Sequence, residues 1–135
     1  MKKAFVAGVA LATLLGATAA EAQSSISCMY MLMRVYRAEL AYCRVPLPAQ
    51  REARYQRMKN GFELFIRQHA KNDPEAMIKG VDSNIQRAIA GLKSCQSEDF
   101  RLAQKAMDQL TEPEQEAMVA NTLKIPRDPQ QGTCG

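Results

Sequence analysis

The sequence lacks the short signatures of common nucleophilic and metal-dependent hydrolases. It contains neither G-x-S-x-G nor H-E-x-x-H, and it has no C-x-x-C pair of the kind that suggests a zinc site. His69 is the only histidine, and no serine or cysteine nucleophile motif accompanies it. Internal repeats, low-complexity runs and Gly/Ser linkers are also absent. We therefore expect a protein that is not an enzyme and that carries no cofactor.

Two classes of small exported helical enzyme are disfavoured for the same reason. The chain has neither the Glu-Ser and G-L-M-Q segments of lytic transglycosylases nor the Cys-Cys-x-x-His-Asp core of secreted phospholipases. Glycosidases also need two carboxylates that flank a cleft, and a tight helical bundle offers no obvious cleft. A small hydrolase that uses Glu39 or His69 is kept as the second alternative function. The simpler interpretation of His69 is a cationic side chain near the C-terminal end of a helix, where the helix dipole favours it.

Residues 1–22 have the composition of a secretory signal peptide. Two lysines follow the first methionine, an apolar stretch reaches Leu15, and an A-x-A site ends at Ala22. A retained membrane anchor is the alternative, but the apolar stretch has only about 12 residues, whereas a membrane span needs about 20. We expect cleavage after Ala22, export to the periplasm or beyond the cell, and one domain over residues 23–135, with no transmembrane segment and an oligomeric state left open.

The four cysteines predict two disulfide bonds. An even number of cysteines in an exported chain is typical of disulfides, and successive spacings of 15, 52 and 39 residues are too wide for a zinc cluster. Cys28 and Cys43 share one predicted helix, which separates them by about 22 Å, far beyond the reach of a disulfide. If the first and third helices run in the same direction, Cys43 meets Cys95 and the C-terminal tail brings Cys134 to Cys28. We predict these two pairs.

Apolar residues recur at helical spacing through almost the whole chain after residue 25, and this predicts an all-α protein. Short connections favour an up-down bundle of four to five helices stapled by the disulfides. The predicted helices begin near Ser25, Pro48, Asp73, Ser97 and Thr111, the last with a Thr-Glu-Pro-Glu capping box. Residues 124–135 form an extended tail rich in proline and glycine, and we expect only its cysteine to hold it in place.

Two helices have clear apolar stripes that predict their core faces. The stripe of the second helix consists of Tyr55, Met58, Phe62, Phe65 and Ile66. The stripe of the third helix is the more regular of the two and consists of Ile78, Val81, Ile85, Ala88, Leu92 and Cys95.

Positive charge is concentrated in one part of the chain. Residues 34–71 have a net charge of +6, whereas residues 72–135 have a net charge of −3. A helical wheel places Arg34, Arg37 and Arg44 within about 80° on the first helix, with Tyr30 beside them. The predicted basic patch joins these to three arginines in the first turns of the second helix, next to Tyr55. Its six members are Arg34, Arg37, Arg44, Arg51, Arg54 and Arg57.

Arginine side chains suit carboxylates and phosphates, so this patch predicts a protein partner, acidic in character, or an anionic component of the cell envelope. Inhibitor, immunity-type, envelope accessory and host-directed factors all fit this description. Nucleic acid is not expected as a partner outside the cytoplasm. The alternative is a solvated helix face that also includes Glu52 and Glu63 and needs no partner.

Glu39 interrupts the apolar arc of the first helix. A buried carboxylate is costly unless it is paired, and an unusual pKa is frequent at functional sites. The simpler expectation is an ion pair with Arg54 or Arg57 of the second helix, or a side chain that reaches solvent at a seam between helices.

The segment from Cys28 to Met33 resembles, in composition only, the methionine-rich segments of exported copper carriers. Thioethers are soft ligands for Cu(I), and Met29 and Met33 share one face of the helix. A periplasmic copper-binding protein is therefore the first alternative function. Methionines at helical spacing are more often adaptable filling of a core.

Overall fold

The computed structural model describes residues 23–134, and the predicted signal peptide, residues 1–22, lies outside the described residues. The described part contains five helices, which confirms the predicted disulfide-stapled all-α bundle. They are α1 (Ile26–Tyr42), α2 (Ala49–His69), α3 (Pro74–Gly91), α4 (Glu98–Leu110) and α5 (Pro113–Thr122). None of these helices is long and apolar enough to cross a membrane.

Local sequence explains where three of the helices begin. The side chains of Ser25, Asp73 and Ser97 cap α1, α3 and α4, and each accepts a hydrogen bond from the amide three residues later, at 3.0, 3.1 and 3.3 Å. Each of these caps satisfies a backbone donor that would otherwise lack a partner inside the helix. Pro74 and Pro113 occupy the first turns of α3 and α5, where the fixed φ of proline is compatible with a helix.

The capping box predicted at Thr111 is wrong. Thr111 is buried and ends α4: its hydroxyl donates a hydrogen bond to the carbonyl oxygen of Met107 at 2.7 Å. The residue that precedes α5 is Glu112, and its side chain makes no capping hydrogen bond. The hydroxyl cannot cap α5 because it is turned back onto the preceding helix, and the Glu112 carboxylate is bound by Arg51 at 2.8 Å instead.

α1 is the central helix and packs against α2, α3 and α4, whereas α5 packs against α2 and α4. Both predicted disulfides are confirmed. Cys43 and Cys95, which follow the C-terminal ends of α1 and α3, are joined with their Cα atoms 5.6 Å apart. Cys28 and Cys134 are joined with their Cα atoms 5.3 Å apart. The shared C-terminal end of α1 and α3 agrees with the expectation that these two helices run in the same direction.

The C-terminal tail is held by more than its disulfide, which corrects the expectation from its composition. The Ser25 amide donates to the carbonyl oxygen of Thr133 at 2.9 Å, and the Thr133 amide donates to the carbonyl oxygen of Gln23 at 3.0 Å. Pro129 is buried and its carbonyl oxygen accepts from an amide of α1. Gly132 has a φ of 118°, and a Cβ atom there would lie 2.4 Å from the oxygen of Gln23, so only glycine fits this close approach.

The two predicted core stripes differ in outcome. All five residues of the α2 stripe are buried. In α3, which packs against α1 and α2, only Val81 is buried; in the rest of the stripe Cys95 is exposed and the other four residues are partly buried. The regular apolar pattern therefore predicted the helix correctly, but most of its apolar side chains are less buried than the pattern indicated.

Candidate functional site

Two arginines of the predicted basic patch bind the turn between α4 and α5. The Arg51 guanidinium donates to the Thr111 hydroxyl at 3.0 Å and to a Glu112 carboxylate oxygen at 2.8 Å. It also donates to the carbonyl oxygen of Asp108 at 2.6 Å. Arg54 donates to the carbonyl oxygen of Thr111 at 3.1 Å. These contacts satisfy backbone groups at the end of α4, so both side chains have a structural role.

Arg57 joins α2 to α5 through a two-pronged ion pair. Its Nε and Nη2 atoms donate to the two carboxylate oxygens of Glu116 at 2.7 and 2.9 Å. This hydrogen-bonded partner holds the pKa of Glu116 below its ordinary value. The bidentate geometry is the strongest form of such a pair. Three of the six predicted arginines therefore fasten α5 and the turn before it.

Arg34 covers a buried tyrosine. Its Nη1 atom donates to the Tyr30 hydroxyl at 2.7 Å, its Nη2 atom lies 3.2 Å from Asp82 of α3, and its guanidinium carbon lies 5.5 Å from the Tyr30 ring centre. Tyr30, which the helical wheel placed beside the arginines, is only 1% exposed. Burial raises the pKa of Tyr30 despite the adjacent cation.

Arg37 has a similar arrangement one turn later. It donates to Glu52 of α2 at 3.0 Å, and its guanidinium carbon lies 6.0 Å from the ring centre of Tyr55. Tyr55 is buried, and burial raises its pKa to about 12. The two tyrosines predicted beside the arginines are therefore covered by the arginines and do not form an exposed surface.

Arg44 differs from the other five arginines. Its guanidinium makes no hydrogen bond or ion pair with any residue of the described range 23–134, and its side chain is exposed. Its φ of 58° is in the left-handed region, which is uncommon for any residue other than glycine. Tyr42, two residues earlier, is 59% exposed. The disulfide of Cys43 anchors the chain between them to Cys95.

Glu39 is buried as predicted, at 8% exposure, but its predicted ion pair is wrong. Arg54 and Arg57 are occupied by the Thr111 carbonyl and by α5, and no described residue donates a hydrogen bond to the Glu39 carboxylate. Burial raises the pKa of Glu39, and the negative charge of Asp99 raises it further. An unpaired carboxylate of this kind can retain a proton more readily than an exposed one.

Glu63 is a partly buried acid that the sequence pattern did not indicate. The charge pattern assigns it to a solvated face, but its side chain is only 15% exposed. Its Oε2 atom is buried without a hydrogen-bond partner among the described residues, and the nearest cation is the Nζ atom of Lys59 at 3.9 Å. The negative charge of Glu63 contributes to the raised pKa of Tyr30. The sequence did contain one indication of this burial: Glu63 lies three residues before Ile66, on the buried side of α2.

His69 lies in the last turn of α2, as predicted, and its ring lies against Phe65 with the ring centres 4.4 Å apart. Glu39 lies near the C-terminal end of α1. Because α1 and α2 are consecutive helices that run in opposite directions, these two candidate hydrolase residues are at opposite ends of the bundle. The structure does not combine them into one site.

Met29 and Met33 line a cavity of about 330 Å³ between α1, α2, α4 and α5. Met58 and Met118 line the same cavity, so the fold adds two thioethers to the pair indicated by the sequence. In the described residues no group of three or more His, Cys, Asp and Glu side chains could hold a metal ion. The copper hypothesis remains a prediction, and the rest of the lining is mostly apolar and carries no charged side chain.

No protein-family model, curated protein or solved structure matches this chain.

Proposed function

We propose that this chain is a non-enzymatic binding protein of the periplasm or the extracellular space, and that it recognises an acidic protein through the surface formed by Tyr42 and Arg44. The proposal depends on one observation. Of the six candidate arginines, only Arg44 has a guanidinium with no hydrogen bond or ion pair to the described residues. The other five are engaged by carboxylates, carbonyl groups or a tyrosine of the same chain.

Backbone strain supports this proposal. An L-residue in the left-handed region costs about 1–2 kcal/mol, and glycine would avoid that cost. Strained positions of this kind are frequent at binding sites, where the side chain rather than the backbone is what function requires. The exposed Tyr42 points to the same conclusion, since tyrosine and arginine are the side chains that most often dominate the energy of protein interfaces.

The segment that carries the two side chains is rigid. Cys43 is bonded to Cys95, and Pro46 and Pro48 limit the backbone on the other side of Arg44. A rigid segment loses little conformational entropy on binding. A carboxylate on the partner is the matching chemistry, because the planar guanidinium can donate two parallel hydrogen bonds to it.

The compartment is supported by the two disulfides. Disulfide bonds form and persist outside the cytoplasm, and this protein has two of them with no free cysteine in the described residues. The predicted signal peptide also supports a location outside the cytoplasm, on the evidence of the sequence alone. Periplasm and extracellular space are both oxidising, so these features support either.

The test is recovery of a partner from periplasmic and extracellular fractions with the disulfide-bonded protein as bait, followed by affinity measurements with the recovered partner. Arg44→Asn and Arg44→Gly remove the cation but tolerate the left-handed backbone. Arg44→Lys keeps the charge and loses the planar fork. We expect the first two variants to lose at least about tenfold in affinity, and Arg44→Lys to be intermediate.

Lys71→Asn is the matched control. Lys71 is 81% exposed and lies just after α2, at the end of the bundle opposite Arg44. The Lys71→Asn variant should bind the partner with the same affinity as the unchanged protein. The proposal is wrong if no specific partner is recovered, or if the partner binds equally well to the protein with and without Arg44.

A further inference from the structure

The cavity next to α5 has the shape of a slot that runs along the helices. The residues that α1 contributes are spaced at i, i+3, i+4 and i+7, and so are the residues that α5 contributes. The α1 wall consists of Met29, Leu32, Met33 and Tyr36. The α5 wall consists of Gln115, Met118, Val119 and Thr122. Seven residues of helix rise make each wall about 10 Å long, so the slot is elongated and two helical turns in length.

The slot has no charged lining. Its polar groups are the amides of Gln109 and Gln115 and the hydroxyls of Tyr36 and Thr122, and the remaining lining is aliphatic, aromatic or thioether. Its volume of about 330 Å³ is within the range of small-molecule sites, at the lower end. A charged group would lose its hydration here without gaining a counter-charge, so the lining favours a neutral apolar ligand.

α5 covers the slot but does not fill it. No residue of α5 is fully buried, and Met118, which is shared with the slot, is 56% exposed. Methionine side chains adapt their shape to different apolar partners, and four of them surround this space. A well-packed helix would bury such a face in the core, whereas this helix leaves accessible apolar surface beside an open volume.

The apolar surface continues beyond the slot along α5. A second depression shares Met118 and Thr122 with the slot and extends past Ala117 to Ile125, an exposed isoleucine. The two depressions share the edge formed by Met118 and Thr122, and the second adds about one helical turn of apolar surface toward Ile125. This shape suits a linear hydrocarbon better than a compact ring system.

From this geometry we infer that the slot binds one hydrocarbon chain, namely the acyl chain of a lipid with a neutral or zwitterionic headgroup. The headgroup preference comes from Glu114 in the first turn of α5, because the neighbouring Glu112 and Glu116 are paired with Arg51 and Arg57. Glu114 lines the second depression, where a ligand chain would emerge, and it has no ion pair with the described residues. An anionic headgroup would meet this carboxylate. The inference does not depend on the Tyr42 and Arg44 surface, which lies at the end of α1.

The test is calorimetric titration of the disulfide-bonded protein with three probes below their micelle concentrations: dodecanoylglycerol, dodecanoyl lysophosphatidylcholine and dodecanoate. We expect saturable binding of the first two with one ligand for each protein molecule, and severalfold weaker binding of dodecanoate. Cu(I) competition against a chelator is measured in parallel. Absence of saturable binding for every hydrocarbon overturns the inference, and Cu(I) binding alone would assign the cavity to the metal instead. Equal affinity for dodecanoate would overturn the headgroup preference.

Two substitutions that reduce the volume of the slot locate the binding. Ala106→Leu adds bulk from α4, and Val119→Phe adds bulk from α5, where the side chain is only partly buried and a change is easier to accommodate. Each should weaken acyl-chain binding at least about tenfold without lowering helix content. Leu64→Ser is the matched control, because Leu64 is an exposed leucine on α2 that does not line the slot. Equal binding by all three variants would show adhesion at some other surface and overturn the inference.

Discussion

The amide of Val45 donates a hydrogen bond to the carbonyl oxygen of Leu40 at 2.9 Å, across the end of α1. The amide of Arg44 donates to the carbonyl oxygen of Ala41 at 3.1 Å. These two bonds form the Schellman motif that ends many helices. The motif requires a left-handed backbone at one residue just after the helix, which is Arg44 in this chain. Glycine is the usual residue there, and this chain has arginine with a φ of 58°.

Arg44→Gly should therefore stabilise the protein. Relief of left-handed strain should contribute about 1–2 kcal/mol, and the greater freedom of glycine in the unfolded chain should offset part of it, which leaves a gain of about 0.5–1 kcal/mol. The measurement is urea unfolding, in which the midpoint should rise with no change in slope. Arg44→Ala is the control, because it removes the same side chain but keeps the strain. A midpoint for Arg44→Gly at or below that of Arg44→Ala would contradict this account of the helix end.

Removal of either disulfide should cost about the same stability. The Cys43–Cys95 bridge closes a loop of 52 residues. The Cys28–Cys134 bridge spans 106 residues, but the inner bridge shortens the ring it closes to segments of 15 and 39 residues. Loop-closure entropy for rings of this size gives about 4 kcal/mol for each bridge. The test is chemical unfolding of the two paired Cys→Ser variants. A difference of more than about 2 kcal/mol would show that native contacts, not ring size, set the cost.

The tail should respond to only one of these variants. Loss of the Cys28–Cys134 bridge leaves the tail attached by hydrogen bonds, among them those of Thr133 with Gln23 and Ser25 and that of the Pro129 carbonyl with α1. Amide exchange of residues 127–134 should accelerate in that variant and remain unchanged when the Cys43–Cys95 bridge is removed. Faster exchange of the tail in both variants would mean that the tail reports on the whole bundle.

The sequence was sufficient for the disulfide pairs and the helices, because both follow from strong local rules. Two cysteines 15 residues apart on one helix cannot bond, and Ser25, Asp73 and Ser97 cap helices as their chemistry dictates. The partners of Arg51, Arg54 and Arg57 were not predictable, because they depend on α5 and the turn before it. The helical wheel gives the direction of Arg57 from its own axis, but it does not reveal that Glu116 of a later helix lies opposite.

The slot could not be predicted for a related reason. Met29 and Met33 were visible as one face of one helix, whereas Met58 and Met118 join them only through packing. Glu39 shows the same limit: its burial follows from its position in an apolar arc, but its lack of a counter-charge follows from which contacts its neighbours make elsewhere.

Glu39→Gln should stabilise the protein at neutral pH. Burial, with help from Asp99, raises the pKa of Glu39 above its unfolded value, so the folded state binds more protons than the unfolded state between the two pKa values. Its ionisation therefore lowers stability as the pH rises through that window, and the penalty is fully present at neutral pH. The glutamine variant should unfold at higher urea concentration near pH 7 and match the unchanged protein near pH 3. Equal midpoints at both pH values would show that Glu39 carries no ionisation penalty.

Glu116→Gln should loosen α5 without unfolding the bundle. The two hydrogen bonds from Arg57 hold the pKa of Glu116 below its ordinary value, so this carboxylate stabilises the attachment of α5 at neutral pH and loses that effect as the pH falls through the lowered pKa. Amide exchange of α5 should accelerate severalfold in the variant at neutral pH, and acid or about 1 M salt should produce the same change in the unchanged protein.

Glu114→Gln is the matched control, because Glu114 lies on the same helix and has no ion pair with the described residues. It should leave exchange in α5 unchanged. If the slot binds an acyl chain beside α5, then Glu116→Gln should raise both the association and the dissociation rate of dodecanoylglycerol, because α5 forms one wall of the slot. Faster exchange without any change in ligand rates would show that α5 opens, but that the chain enters the slot by another route.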